Sequence, residues 1–261
     1  MAYNNNVEKI RVSKNGTPDE CIAYVSEKVS GRYAALPCVA GICGKGGRTS
    51  VEFSTEKLYE PYVRGETASA VAEVLAVWYK YRFFENLLPL PALEKEEREL
   101  LLTALVAADF NTDKEYVKTR LSGLDEYLLD GVFLFRMQEL KKSWERIASY
   151  VPAAFSQGAL RSFLEFLVSE GQGRVFLQGE EAYDEEYRPL KKSALTGEYS
   201  APKEILLSSA KLVYCFGEQS EKTREFLKKY FPETTFFGSE KNFLQSCVFP
   251  RKTVDKSERK R

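Results

Sequence analysis

Apolar residues recur along this chain first at alternate positions, then at helical spacing, then in mixed fashion, and that succession predicts its architecture. Residues 7–12 have strand character. Thr17-Pro18-Asp19-Glu20 then has the form of a capping box, with Thr17 at the N-cap, which places a helix start at Pro18. Ile22, Val25 and Val29 follow at helical spacing, and Gly31 marks the expected end. Two further short strands, at about residues 38–42 and 49–53, flank Gly44-Lys45-Gly46-Gly47, which is a hairpin signal.

From about residue 66 to 170 the spacing becomes helical throughout. Residues 70–78 are apolar apart from Glu73, with Val71, Val74, Leu75 and Trp78 prominent, so this helix is expected to be central and buried on most sides. Pro89 and Pro91 break the chain. Glu94, Glu96 and Glu97 then open a helix whose apolar face runs through Leu101, Leu102 and Leu105. Val117, Leu121, Leu124 and Leu128 continue the helical spacing. From Gly131, the positions Phe133, Met137, Leu140, Trp144, Ile147 and Val151 alternate steps of four and three, a seam suited to packing against neighbouring helices. Pro152 predicts a kink or break near residues 148–151. Leu160, Phe163, Leu164 and Leu167 mark a last helix. Phe135, Trp144 and Phe163 are expected to be substantially buried.

Residues 174–178 again alternate like a strand and lead into an acidic loop. Ser200 with Pro202 starts another helix, residues 211–216 read as a strand, Ser220 caps a helix through Tyr230, and a strand is expected at 234–237. If these strands are parallel in one sheet, their connection should be right-handed. The predicted fold class is therefore α+β, a central helical block (61–172) flanked by small N-terminal (1–60) and C-terminal (173–250) α/β units. A basic tail at 251–261 is expected to be frayed.

Charge narrows the partners. The 38 basic and 38 acidic residues cancel, so no global field favours a polyanion, and nucleic acid is disfavoured as a partner. No apolar run is long enough to span a bilayer and the N-terminus does not read as a signal peptide, so a cytoplasmic protein is expected. Histidine is absent from all 261 residues, which removes Ser-His-Asp and Cys-His nucleophilic sites together with the commonest metal ligand.

Three features invite chemistry, each with a plainer alternative. Gly44 to Gly47 suggests a phosphate loop, but Gly41 lies three residues from Gly44 and Gly46 follows Lys45, so the P-loop spacing fails and a turn is favoured. Cys38 and Cys43 have a C-x4-C spacing, yet a four-ligand zinc site would have to recruit Cys215 and Cys247; with Cys21 the number is odd, and reduced, metal-free thiols are expected. Glu180, Glu181, Asp184, Glu185 and Glu186 lack EF-hand spacing, which favours a solvated loop over a cation site. No cofactor is implied.

At Gly131-Val132-Phe133-Leu134-Phe135-Arg136-Met137 the chain resembles the YtxC-like family of sporulation proteins, which carries a Gly, apolar, Phe-Arg-apolar segment opening a long helix. The order of elements over about residues 68–237 is similar to that family's. The resemblance implies an association with sporulation and no particular activity, so no catalytic residue comes with it. Gly131, Phe135 and Arg136 are the candidate binding residues. Arg136 is expected at a helix edge, clamping a carboxylate such as Asp130 or Glu139 or reaching an anionic ligand.

The resulting expectation is a non-enzymatic, sporulation-associated protein that acts through an unknown protein partner. The alternative is a small-ligand or nucleotide binder using the crevice at residues 216–220 after the C-terminal strand. A thiol-redox or metal protein is the third reading.

Overall fold

The computed structural model of the chain describes residues 7–16, 20–32 and 38–237. The chain is α+β, with two four-stranded sheets among the described residues, and divides into two compact units: Met1–Phe163 with Lys192–Tyr199, and Leu164–Lys191 with Ser200–Arg261. The expected three-way division at residues 60 and 172 does not match this partition. The N-terminal sheet needs the central helix to cover it, and so the two segments share one core.

In the first unit, β1 (Val7–Asn15), α1 (Glu20–Arg32), β2 (Cys38–Lys45) and β3 (Arg48–Glu56) come first. β2 and β3 form the expected hairpin, closed by Gly46 and Gly47 at φ +60° and +73°. Two successive positive φ angles make the primed two-residue turn that glycine favours, and this geometry answers the phosphate-loop alternative. β1 lies antiparallel to β3, and Ile10, Val12, Val51 and Phe53 bury against Ile22, Val25 and Val29 of α1. The Thr17 cap lies outside the described residues.

One continuous helical path then runs through α2 (Glu60–Val74), a π-helical turn (Leu75–Tyr79) and α3 (Lys80–Leu87). As the near-continuous apolar run predicts, Ala70, Val71, Val74, Leu75 and Val77 are fully buried. The path packs against α1 and then against α4 (Lys95–Ala108) and α5 (Phe110–Leu121). Glu94 and Glu97 close a reciprocal capping box on α4.

The helical spacing of this block predicts no strand, yet it contains one. Gly123, at φ +76°, ends α5 with a left-handed residue, and β4 (Glu126–Leu128) pairs parallel with β1. Leu124 and Leu128 therefore leave the helix face that their spacing suggested. The seam from Phe133 is also divided. α6 (Leu129–Arg136) and α7 (Gln138–Ser149) meet at Met137, where ψ is 24° and the Gln138 side-chain amide donates to the Leu134 carbonyl. Its inner positions still bury: Met137, Leu140 and Trp144 lie in the core. α7 ends before Pro152, and α8 (Gln157–Glu170) follows. Phe163 is partly buried.

The second unit holds β5 (Gly173–Gln178), β6 (Glu181–Tyr183), α9 (Ala201–Leu207), β7 (Ala210–Phe216), α10 (Glu221–Tyr230) and β8 (Thr235–Phe237). The strand order is β6-β5-β7-β8, and β5, β7 and β8 are parallel. Val175, Leu177, Val213 and Cys215 bury one face of this sheet. The tail at 251–261 lies outside the described residues.

Candidate functional site

The π turn organises the polar interior of the first unit. A π turn adds a residue to the helical ladder and shifts the phase of the next helical segment, and such turns concentrate at functional positions. Before it, the buried carboxylate of Glu73 accepts from Tyr24 Oη at 2.6 Å, from Lys114 Nζ at 2.6 Å and from Lys28 Nζ. Burial alone would raise its pKa, but the two ammonium groups outweigh that and hold it at about 2. After the turn, the fully buried Lys80 donates to Asp113 at 2.7 Å, and Trp144 Nε1 donates to the same oxygen at 3.0 Å. Burial pushes Asp113 upward against the pull of Lys80 and Trp144. Both clusters are closed, hydrogen-bonded ties between helices.

The last two residues of the turn, Trp78 and Tyr79, line a groove. Trp78 and Tyr79 meet edge-on at 4.7 Å, and Tyr79 lies 4.6 Å from Phe133 of α6. Tyr79 Oη donates to Asp130 at 2.7 Å, and the Asn15 amide donates to the other oxygen of Asp130 at 2.8 Å. Trp78 Nε1 donates to Glu20 at 2.7 Å, and Lys14 Nζ lies 4.3 Å above the Trp78 ring. Arg82, Phe83 and Leu87 of α3 complete an open groove of about 490 Å³. Cations frame it: Arg82 lies 5.8 Å from Trp78, and Lys141 Nζ sits 4.7 Å over Phe133.

Beside the groove stands the segment singled out from sequence. Phe135 is 81% exposed and Leu134 52%, so the expectation that Phe135 is buried is overturned. Leu129 and Val132 take the buried positions of the short α6, and its last turn carries Leu134 and Phe135 in solvent. Gly131 lies one turn before Phe135. A Cβ there would come within 3.2 Å of Leu128 Cδ2, so the missing side chain lets α6 start close against β4. Arg136 does not clamp Asp130 or Glu139. Its Nη1 donates to the Arg120 carbonyl at 3.1 Å near the end of α5, while Asp130 serves Tyr79 and Asn15 and Glu139 pairs with Lys142 at 2.8 Å. A cation on the terminal carbonyls of a helix is a C-terminal cap. Phe133 and Phe135 were visible as aromatics in sequence, whereas Trp78, Arg82, Phe83 and Leu87 were not assigned to a site, because no spacing rule joins α3 to α6.

The other candidates resolve differently. Cys38 and Cys43 lie five positions apart on one strand, paired with Thr55 and Ser50, so their side chains point to opposite faces of the sheet and cannot share a metal ion. Burial, with Glu180 nearby, pushes the Cys215 thiol up to about 12, away from thiolate chemistry. Cys247 lies outside the described residues. Among the described residues, no three His, Cys, Asp or Glu side chains converge on a metal position. In the acidic loop, Asp184 binds Arg188 and two backbone amides, and Glu185 accepts from the Arg174 amide.

At the end of β7, the N-terminus of α10 is already filled. Ser220 caps it through Thr223, and Glu180 accepts from the Ser220 amide and from Thr223 Oγ1, both at 2.7 Å. This carboxylate stands where a phosphate would be received. The sheet order also advances steadily from β5 to β7 to β8, so it lacks the reversal that opens a crevice in doubly wound sheets. No helix among the described residues is long and apolar enough to cross a membrane. No family model, curated protein or solved structure matches the chain.

Proposed function

We propose that this chain is a sporulation-associated adaptor that binds another protein through the α3–α6 groove and has no catalytic role. The observation that carries this is the exposed pair Leu134 and Phe135, with Leu87 46% exposed, next to an aromatic groove framed by Arg82 and Lys141. Large apolar side chains held in water beside a preformed concavity are the usual anatomy of a protein-docking surface. The exposed apolar side chains suit a partner segment that carries an aromatic or aliphatic anchor. Sporulation enters through the resemblance of residues 131–137, the same segment that supplies the exposed ring.

Phe135→Ser tests this in a spore-forming host whose own copy is deleted. The substituted protein is expected to accumulate and melt like the parent and to fail in restoring sporulation. In parallel, a photo-cross-linking residue at position 135 should capture a defined partner, and the same residue at Phe166, which is also exposed, should not. Full restoration by Phe135→Ser would refute the assignment.

A further inference from the structure

The opposite edge of the first unit carries a second surface, independent of the groove. Among the described residues the sheet order is β2-β3-β1-β4, so β2 is an edge strand. Its pairing with β3 runs unbroken from Cys38 opposite Thr55 to Lys45 opposite Arg48, without a bulge. Natural edges are commonly blunted by proline, inward charges, bulges or brevity. None of these occurs between Cys38 and Gly44, and both faces of the strand stay open: Val39 is 71% and Ile42 58% exposed.

The hairpin fixes which backbone groups look outward. In a two-residue hairpin the pair flanking the turn, here Lys45 and Arg48, is hydrogen-bonded, and bonded pairs then recur at every second position. Lys45, Cys43, Gly41 and Val39 therefore bond to β3. The Ser50 hydroxyl on the Cys43 carbonyl at 3.3 Å agrees with that carbonyl facing β3. The N–H and C=O groups of Cys38, Ala40, Ile42 and Gly44 point away from the sheet.

We infer that β2 pairs antiparallel with β2 of a second copy of this chain, about a two-fold axis through Gly41, to make one continuous sheet across a homodimer. Among two-fold arrangements this register alone bonds all four outward residues, Cys38 with Gly44 and Ala40 with Ile42 in each direction. It sets apolar against apolar on both faces: Ala40 beside Ile42 on one, Val39 beside Cys43 on the other. The strand's single charge, Lys45, falls at opposite ends, so no like charges face each other. Gly41 occupies the axis as a non-bonded pair, where the two backbones approach most closely. An unrelated peptide would satisfy the hydrogen bonds, but the two-fold match on both faces is specific to the strand itself.

The full-length chain should sediment as a dimer. Ile42→Pro removes only an outward N–H, so it should leave the β2–β3 hairpin and the circular dichroism unchanged while weakening dimerisation by about tenfold or more. Gly41→Cys in a Cys43→Ser background tests the register independently. Gly41 has no positive φ, and a Cβ there meets nothing within 4 Å, so the fold should accept it. Mild oxidation should then give a covalent dimer through position 41 that reductant reverses and that Cys43→Ser alone does not form. A monomeric parent at all accessible concentrations, a dimer that survives Ile42→Pro unchanged, or a dimer that Gly41→Cys cannot lock would each overturn the inference. Loss of the dimer only on removal of residues 238–261 would assign the edge to that segment instead.

Discussion

Replacing Glu73 with glutamine should expose how much the buried tie between α1, α2 and α5 contributes. Its carboxylate is buried and receives three donors, from Tyr24, Lys28 and Lys114. Lowering its pKa from 4.5 to about 2 corresponds to about 3 kcal/mol of stability at neutral pH. The lysines keep 31% and 20% of their side-chain surface in water, so they partly resolvate when the charge is lost, and Glu73→Gln should cost about 2–3 kcal/mol. For a chain of this size that lowers the melting temperature by roughly 5–10 °C. The pH dependence separates this from a packing defect. A carboxyl whose folded pKa is depressed stabilises the fold above its unfolded value and loses that contribution as pH falls through the folded one. The gap between parent and variant should thus be full at neutral pH, shrink below about pH 4.5, and close near pH 2. Urea unfolding followed by tryptophan fluorescence reads the correct unit, because both tryptophans, Trp78 and Trp144, lie in it. A gap that is constant from pH 7 to pH 2 would refute the electrostatic account.

The same geometry sets the outcome of other substitutions. Trp144→Ala removes a fully buried ring stacked on Phe133 and a donor to Asp113, and should cost about 3–5 kcal/mol in equilibrium unfolding; a cost below about 1 kcal/mol would show that the site collapses. Phe135→Ser should change stability by less than about 0.5 kcal/mol, because the ring is solvent-exposed. Glu180→Ala strips two acceptor contacts from the N-terminus of α10 and should cost about 1 kcal/mol, with earlier hydrogen exchange at Ser220; unchanged exchange there would count against the cap. Arg136→Lys should be nearly silent in thermal melts, since a lysine can reach the same Arg120 carbonyl, whereas a marked loss would restore the bidentate clamp.

Much of the fold was legible because local chemistry and packing agreed. Gly46-Gly47 closes the hairpin, Glu94 and Glu97 cap α4, Ser220 caps α10, and the apolar run around Val71 and Leu75 is the buried centre. The failures arose where long-range pairing overrode spacing. Leu124 and Leu128 continue a helical rhythm, but a single left-handed glycine ended α5, and β1 offered an edge that made residues 126–128 a parallel strand. Sequence spacing carries no record of that partner, which lies more than a hundred residues earlier.

The groove was hidden for a related reason. Its two walls, α3 and α6, are separated in sequence, and the π turn between Leu75 and Tyr79 changes the phase on which any face assignment for α3 depends. Read at ideal helical spacing, Trp78 continues the buried stripe of Val71, Val74 and Leu75; with the extra residue it reaches the rim and bonds Glu20. Phe135 is expected to bury with the seam from Phe133 to Val151, but it stands two positions from Phe133, about 200° round a helix, and so faces away from that seam. The short α6, tied by Arg136 to the Arg120 carbonyl of α5, presents Leu134 and Phe135 to solvent beside the groove. The side chains that lie off the seam are therefore the ones that supply the proposed docking surface.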